Sequence, residues 1–85
     1  MLRRQVTIAS PDGLHARPAN EFARLAMTLP GKVMVSRPEQ TPVRGDSILS
    51  LMTLGLRGGE SVVVEIADDS QETLLESLIS LLSTR

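Results

Sequence analysis

With 85 residues, 41% of them apolar and 22% charged, the chain has the composition of a single globular domain, 1–85, of a size that buries only about 60 to 65% of its unfolded surface. Phe22 is the only aromatic residue, so the core must be aliphatic, and the absence of cysteine excludes disulfides, a thiolate nucleophile and a Cys-based zinc site. The net charge of −1 is split, with eight Lys/Arg against four acids over residues 1–57 and one against six over residues 58–85, an asymmetry that suits an acidic protein or a phosphate group but is too weak, and too poor in aromatics, for nucleic acid.

The opening MLRRQVTIAS has a basic flank but too short an apolar run for a secretory signal, and no stretch nears the ~18 apolar residues of a membrane span. No membrane insertion and a cytoplasmic location are therefore expected. Leu2, Arg4, Val6 and Ile8 share one parity and predict a strand whose inward face is best defined at Val6 and Ile8. Ser10, Pro11, Asp12 and Gly13 break it. From Pro18 the residues Ala19, Phe22, Ala23 and Ala26 recur at helical spacing, until Leu29, Pro30 and Gly31 stop them. Lys32 to Ser36 alternate, with Val33 and Val35 on one face and Met34 on the other. After a polar turn around Pro38 to Gln40 comes a short run centred on Val43, which predicts a hairpin with a weak second strand.

Ser47 to Leu54, SILSLMTL, is apolar nearly all round and ends at Gly55, a natural left-handed terminator, which predicts a short helix with a buried strand as the alternative. Gly58 and Gly59 turn the chain into SVVVEIA, the strongest strand signal, with Val62, Val64 and Ile66 on one face and Val63, Glu65 and Ala67 on the other. Asp69 followed by Glu72 resembles a capping box, and it opens a last amphipathic helix through Leu74, Leu75, Leu78, Leu81 and Leu82. The order β-α-β-β-α-β-α predicts an α+β fold in two layers, with helices over one side of a mainly antiparallel sheet and water on the other.

The single histidine stands in GLHARPA, residues 13–19, between a glycine turn and a helix start. It reads either as an ordinary surface or capping residue or as a reactive group. A helix start leaves N–H groups without partners and adds positive partial charge, so a phosphate attached nearby meets ready donors. Pro18 fits the first turn, where a missing N–H costs little, while Ala16 and Arg17 keep theirs and Arg17 adds a guanidinium. A neutral imidazole at His15 has a ring lone pair that can act as a nucleophile. Asp12 either opposes a bound phosphate or points away, and the sequence leaves both open. Other chemistries fail by counting. One His and no Cys leave zinc without ligands at i, i+4 spacing, no G-x-S-x-G elbow occurs, and Gly58-Gly59 lacks a phosphate-loop frame. Neither metal nor cofactor is expected.

GLHARPA, joined to DSILSLMTLGL at 46–56 and to the order of elements, resembles the HPr family, the phosphohistidine carriers of bacterial sugar phosphotransferase systems, over essentially the whole chain. The resemblance implies an open-faced β-sandwich, with a four-stranded antiparallel sheet in the order 1-4-2-3 and three helices on one face. It implies that His15 accepts a phosphoryl group on Nδ1 from enzyme I and passes it to enzyme II A subunits or domains in sugar transport. Arg17 and the amide of Ala16 would hold the phosphate. Such a protein is a phosphotransferase component rather than a stand-alone enzyme, and it acts as a monomer. The resemblance also assigns partner docking to Asn20, Ile48, Leu49, Met52 and Thr53, with Leu51 and Leu54 in the core. A short helix this apolar has more than one inward stripe can hold, although Ile48, Leu49 and Met52 could instead be core. Ser47 matches a serine that a dedicated kinase phosphorylates in some members, but Asp46 stands where a basic residue is often found, and either residue also reads as a helix cap. The same chemistry could serve nitrogen regulation or dihydroxyacetone kinase, and Ser47 could make the chain a regulatory adaptor.

Overall fold

The computed structural model describes residues 1–84. In chain order the elements are β1 (Leu2–Thr7), α1 (Ala16–Ala26), β2 (Val33–Ser36), β3 (Val43–Arg44), α2 (Ile48–Thr53), β4 (Ser61–Ile66) and α3 (Glu72–Ser83). The valine-rich strand β4 takes an inner place because it has apolar side chains to bury on both sides of its pleat: Val62, Val64 and Ile66 are buried toward the helices, and Val63 is buried on the opposite face. β1 runs antiparallel along one side of it, from Leu2 opposite Ile66 to Thr7 opposite Ser61. β2 runs antiparallel along the other, from Val33 opposite Ile66 to Ser36 opposite Val63, and β3 closes that side with Val43 opposite Val35. The order is therefore β1-β4-β2-β3, an open-faced β-sandwich with its helices on one face.

The core between the layers is aliphatic around one ring. Phe22 of α1, Leu51 of α2, and Leu75, Leu78 and Leu82 of α3 close onto Val33, Val35, Val62, Val64 and Ile66. Each such side chain is worth roughly 1.5 to 3 kcal/mol of transfer free energy, so these few residues set the relative position of the three helices. Arg4 shares the inward parity of β1, and its guanidinium reaches two carboxylates one turn apart on α3, Glu72 at 2.8 Å and Glu76 at 3.1 Å. An apolar strand pattern thus ends in a polar clamp at the rim.

Backbone polar groups decide where the structure departs from the sequence pattern. α1 begins at Ala16, before Pro18, because the Ala19 N–H reaches back to the His15 carbonyl at 3.0 Å. α2 is shorter than the run from Ser47 to Leu54, since Ser47 and Leu54 are its two caps and Gly55 follows at φ +59°. The capping box at Asp69 and Glu72 does not form. Asp68, one residue earlier, accepts the Ser70 N–H at 2.9 Å and the Ser70 hydroxyl at 2.7 Å, so the turn is already satisfied. Asp69 pairs with the Met1 ammonium, and α3 starts from Gln71 without a side-chain cap. On the open face of the sheet, expected to meet water, Val63 and Ser36 are buried beside each other.

Candidate functional site

The segment carrying the histidine is held by backbone contacts. The Gly13 N–H donates to Ser10 O at 3.0 Å and closes a turn, and Gly13 then takes φ +71°. A Cβ at Gly13 would lie 2.3 Å from Leu56 O, so only glycine lets the two chains pass. The next residue donates its N–H to that same Leu56 carbonyl at 3.1 Å, and its side chain, Leu14, is buried in the core. Gly58 meets Ser10 in the same way, since a Cβ there would stand 2.4 Å from Ser10 O. Residues 10–14 and 56–59 are therefore pressed together, and the inward turn of Leu14 leaves His15 facing solvent.

The second of these segments is itself tied down. Arg37 donates to the carbonyls of Leu54 and Gly55 at the end of α2, and its Nε donates to Glu60 Oε2 at 3.0 Å. Glu60 also accepts the Arg57 N–H at 2.8 Å. These contacts, the Arg37 guanidinium first and the Arg57 amide second, hold the Glu60 carboxyl below its ordinary range.

His15 is the N-cap residue of α1, in extended backbone with φ −89° and ψ −176°, and its side chain makes no capping hydrogen bond. Its own N–H donates to Gly13 O at 3.1 Å. The amides of Ala16 and Arg17, the first two of the helix, have no partner among the described residues, and Pro18 has no N–H. Ala19, Phe22, Ala23 and Ala26 bury the opposite face of α1 and fix where its open end points. The result is an exposed imidazole with free N–H donors and a positive dipole end beside it.

A depression of about 480 Å³ adjoins this imidazole. Arg17, Pro18 and Glu21 of α1 line one side, and Ser80, Leu81 and Thr84 at the end of α3 line the other. Arg17 is the cation of this surface, 87% exposed, with Nε 3.8 Å from Glu21 Oε1. Asp12 is exposed, donates its N–H to Ser10 Oγ at 3.3 Å and does not line the depression.

His15, Ala16 and Arg17 are thus brought together at the start of α1, whereas Asn20, Ser47, Ile48, Leu49, Met52 and Thr53 do not line the depression beside them. Asn20 is half-buried on α1. Ile48, Leu49 and Met52 are exposed on α2, at 42%, 77% and 41%, while Leu51 is buried beneath them and Leu54 is half-buried against the core. Thr53 is exposed and donates its hydroxyl to Ser50 O. Ser47 caps α2, its Oγ accepting the Ser50 N–H at 3.2 Å. Asp46 is buried, accepting from Arg44 at 2.9 and 2.7 Å and from the Gly31 N–H at 3.0 Å. The Arg44 bonds first, and the Gly31 amide second, hold its carboxyl below the usual range. Glu21 and the far wall formed by α3 had not been singled out. The spacing of Glu21 four residues after Arg17 is a signal for the former, and nothing local signals the latter.

Comparison with known proteins finds relatives that match nearly the whole chain. A family model described as "PTS HPr component phosphorylation site" matches residues 2–84. A phosphocarrier protein HPr from Streptomyces coelicolor is 35% identical over 98% of this chain and 89% of that protein, and one from Haloferax volcanii is 36% identical over 98% and 94%. The phosphocarrier protein NPr of Escherichia coli is 26% identical over 98% of this chain and 92% of its own length. Among solved structures, HPr-C-His from Thermoanaerobacter tengcongensis superposes with a TM-score of 0.84 at 29% identity, covering 96% of this chain and 91% of that one.

Proposed function

The chain belongs to the HPr family of phosphotransferase-system phosphocarriers, and from that premise we propose that His15 is the residue that carries the phosphoryl group, accepting it from enzyme I and passing it to enzyme II A subunits or domains in sugar transport. The observation that carries this reading is the uncapped start of α1, where an exposed imidazole stands beside the free amides of Ala16 and Arg17. A lone pair on the ring, on Nδ1 as the family resemblance implies, attacks phosphorus in line. The new P–N bond forms as the bond to the donor breaks, and that bond's electron pair stays with the donor. Little covalent work falls to the protein in such a transfer, which depends on position and charge. The amides and the Arg17 guanidinium meet the phosphoryl oxygens, and the exposure of His15 lets two partners reach it in turn.

Ile48, Leu49 and Met52 give α2 an apolar outer face suited to docking those partners, with Asn20 and Thr53 as polar neighbours in the contact. No helix among the described residues is long and apolar enough to cross a membrane, and the chain works as a monomer in the cytoplasm. The Ser47 hydroxyl is already used as a cap, which favours His15 over Ser47 as the reactive group. A role in a nitrogen branch is the second reading, favoured by the likeness to NPr. Incubation with enzyme I and phosphoenolpyruvate should yield an acid-labile adduct of about 80 Da, one phosphoryl group, which disappears in His15→Ala. Absence of the adduct from the wild type rejects the proposal, and faster loading by a nitrogen-branch than by a sugar-branch enzyme I selects the second reading.

A further inference from the structure

The ion pair between Arg17 and Glu21 has no part in the transfer just described, yet it joins the two formally charged side chains of the depression beside His15. Arg17 Nε and Glu21 Oε1 are 3.8 Å apart, one helical turn along α1. Glu21 is the only ion-pair partner of Arg17 among the described residues, and Arg17 makes no side-chain hydrogen bond there. The first turn of α1 holds no acidic residue, so no other carboxylate on it competes for the guanidinium.

We propose that Glu21 is a positioning residue that holds Arg17 in the unphosphorylated protein and competes with the phosphoryl group for it after transfer. This rests on His15 being the phosphoryl carrier. A phosphoryl group brings a charge of roughly −1.5 to −2 and three strong acceptors to the start of α1. The guanidinium that would meet this charge is the one Glu21 attracts, so its approach to phosphate is opposed by that pair. The cost of that exchange is charged to the phospho form alone, so it makes the bound group a better leaving group without touching the reacting atoms. A carrier gains from this, because a guanidinium committed wholly to phosphate would hold the group against the next acceptor. With Arg preceding Glu, the i, i+4 pair has the weaker of its two orientations, and both side chains are exposed. Arg17 is therefore held, but lightly enough to move.

Competition for a shared supply of phosphoryl groups tests this. Isotope-labelled wild type and unlabelled variant are mixed with catalytic enzyme I and limiting phosphoenolpyruvate, and intact-mass spectrometry reads the phospho fraction of each at equilibrium. Glu21→Gln should hold about twofold more phosphoryl group than the wild type, the scale of an exposed helix ion pair, at an unchanged unfolding midpoint. In an Arg17→Ala background the same substitution should leave the partition nearly even. Equal loading of wild type and Glu21→Gln, or an equal shift in both backgrounds, overturns the proposal. A wild type that takes no phosphoryl group removes the carrier reading and this role with it, whereas a loaded wild type with an indifferent Glu21 removes only the role of Glu21.

Discussion

Ser47 and His15 both stand in extended backbone immediately before a helix, but Ser47 turns its hydroxyl onto the Ser50 N–H, whereas His15 gives the amides of α1 nothing. Beside Ser47 the chain closes further, with Asp46 buried under Arg44 and the Gly31 N–H. Beside His15 it stays open onto a depression. A side-chain cap contributes about 0.5 to 2 kcal/mol, so the start of α1 forgoes stability that the start of α2 keeps. The same local physics thus produces a structural joint where the protein satisfies its own donors and an open helix start where it leaves two of them unpaired among the described residues.

Closing the open end should break this contrast most completely. His15→Ser places a good capping side chain in backbone already shaped for it. The acid-labile adduct should be lost entirely while stability rises by about 1 kcal/mol, followed by mass spectrometry and denaturant unfolding. A fall in stability would mean that the imidazole supports the fold after all.

Opening the closed end should cost stability and leave transfer intact. Asp46→Ala strips the Gly31 amide and the Arg44 guanidinium of their acceptor, a loss of about 1 to 3 kcal/mol. Its pH dependence has a definite sign. The Asp46 pKa is lowered in the native state, chiefly by Arg44 and then by Gly31, so its contribution is complete above the unfolded value near pH 4 and is lost as the pH falls through the lower native value. Glu60 and Asp68 are lowered too and add to the acid lability of the wild type. Asp46→Ala should therefore lose less stability than the wild type on going below about pH 4, and parallel stability curves in that range would contradict the assignment.

Smaller again is the effect expected at Met52, exposed on α2 above the buried Leu51. Met52→Asp should raise the KM for transfer from enzyme I by about tenfold with an unchanged unfolding midpoint. A lowered midpoint would place Met52 in the core and take α2 out of the docking surface.

How much of this is legible in the sequence depends on the range of the contacts involved. β4 is legible because its alternation and its flanking glycines are local, and the helix start at His15 is legible because Gly13 and Pro18 bracket it. The order β1-β4-β2-β3 follows only from resemblance, since pairing Leu2 with Ile66 joins opposite ends of the chain. The capping-box pattern at Asp69 misleads because Asp68 reaches Ser70 first, a competition between neighbours that spacing cannot rank. Burial of Val63 depends on being flanked by strands on both sides, which its own alternation does not record. The wall of the depression built from Ser80, Leu81 and Thr84 is equally hidden, for those residues meet His15 only once α3 has packed beside α1. Glu21 lies between these cases, local in spacing but with a meaning that appears only once Arg17 is seen to line the site.

Ser47→Ala should have the smallest effect, and it tests whether the two helix starts are independent. Removing the hydroxyl leaves the Ser50 N–H to water and should cost about 1 kcal/mol, a lower unfolding midpoint with no change in fold. Phosphoryl acceptance should not change, because the His15 segment is held by the Leu14 to Leu56 hydrogen bond and the close passage at Gly13 and Gly58, at the far end of α2 from Ser47. That far end has its own fastening in Arg37, which binds the Leu54 and Gly55 carbonyls whether or not the first turn is capped. If the transfer rate falls together with stability, the cap is felt through the helix at His15, and the closed joint and the open site are one cooperative unit rather than two solutions to the same local problem.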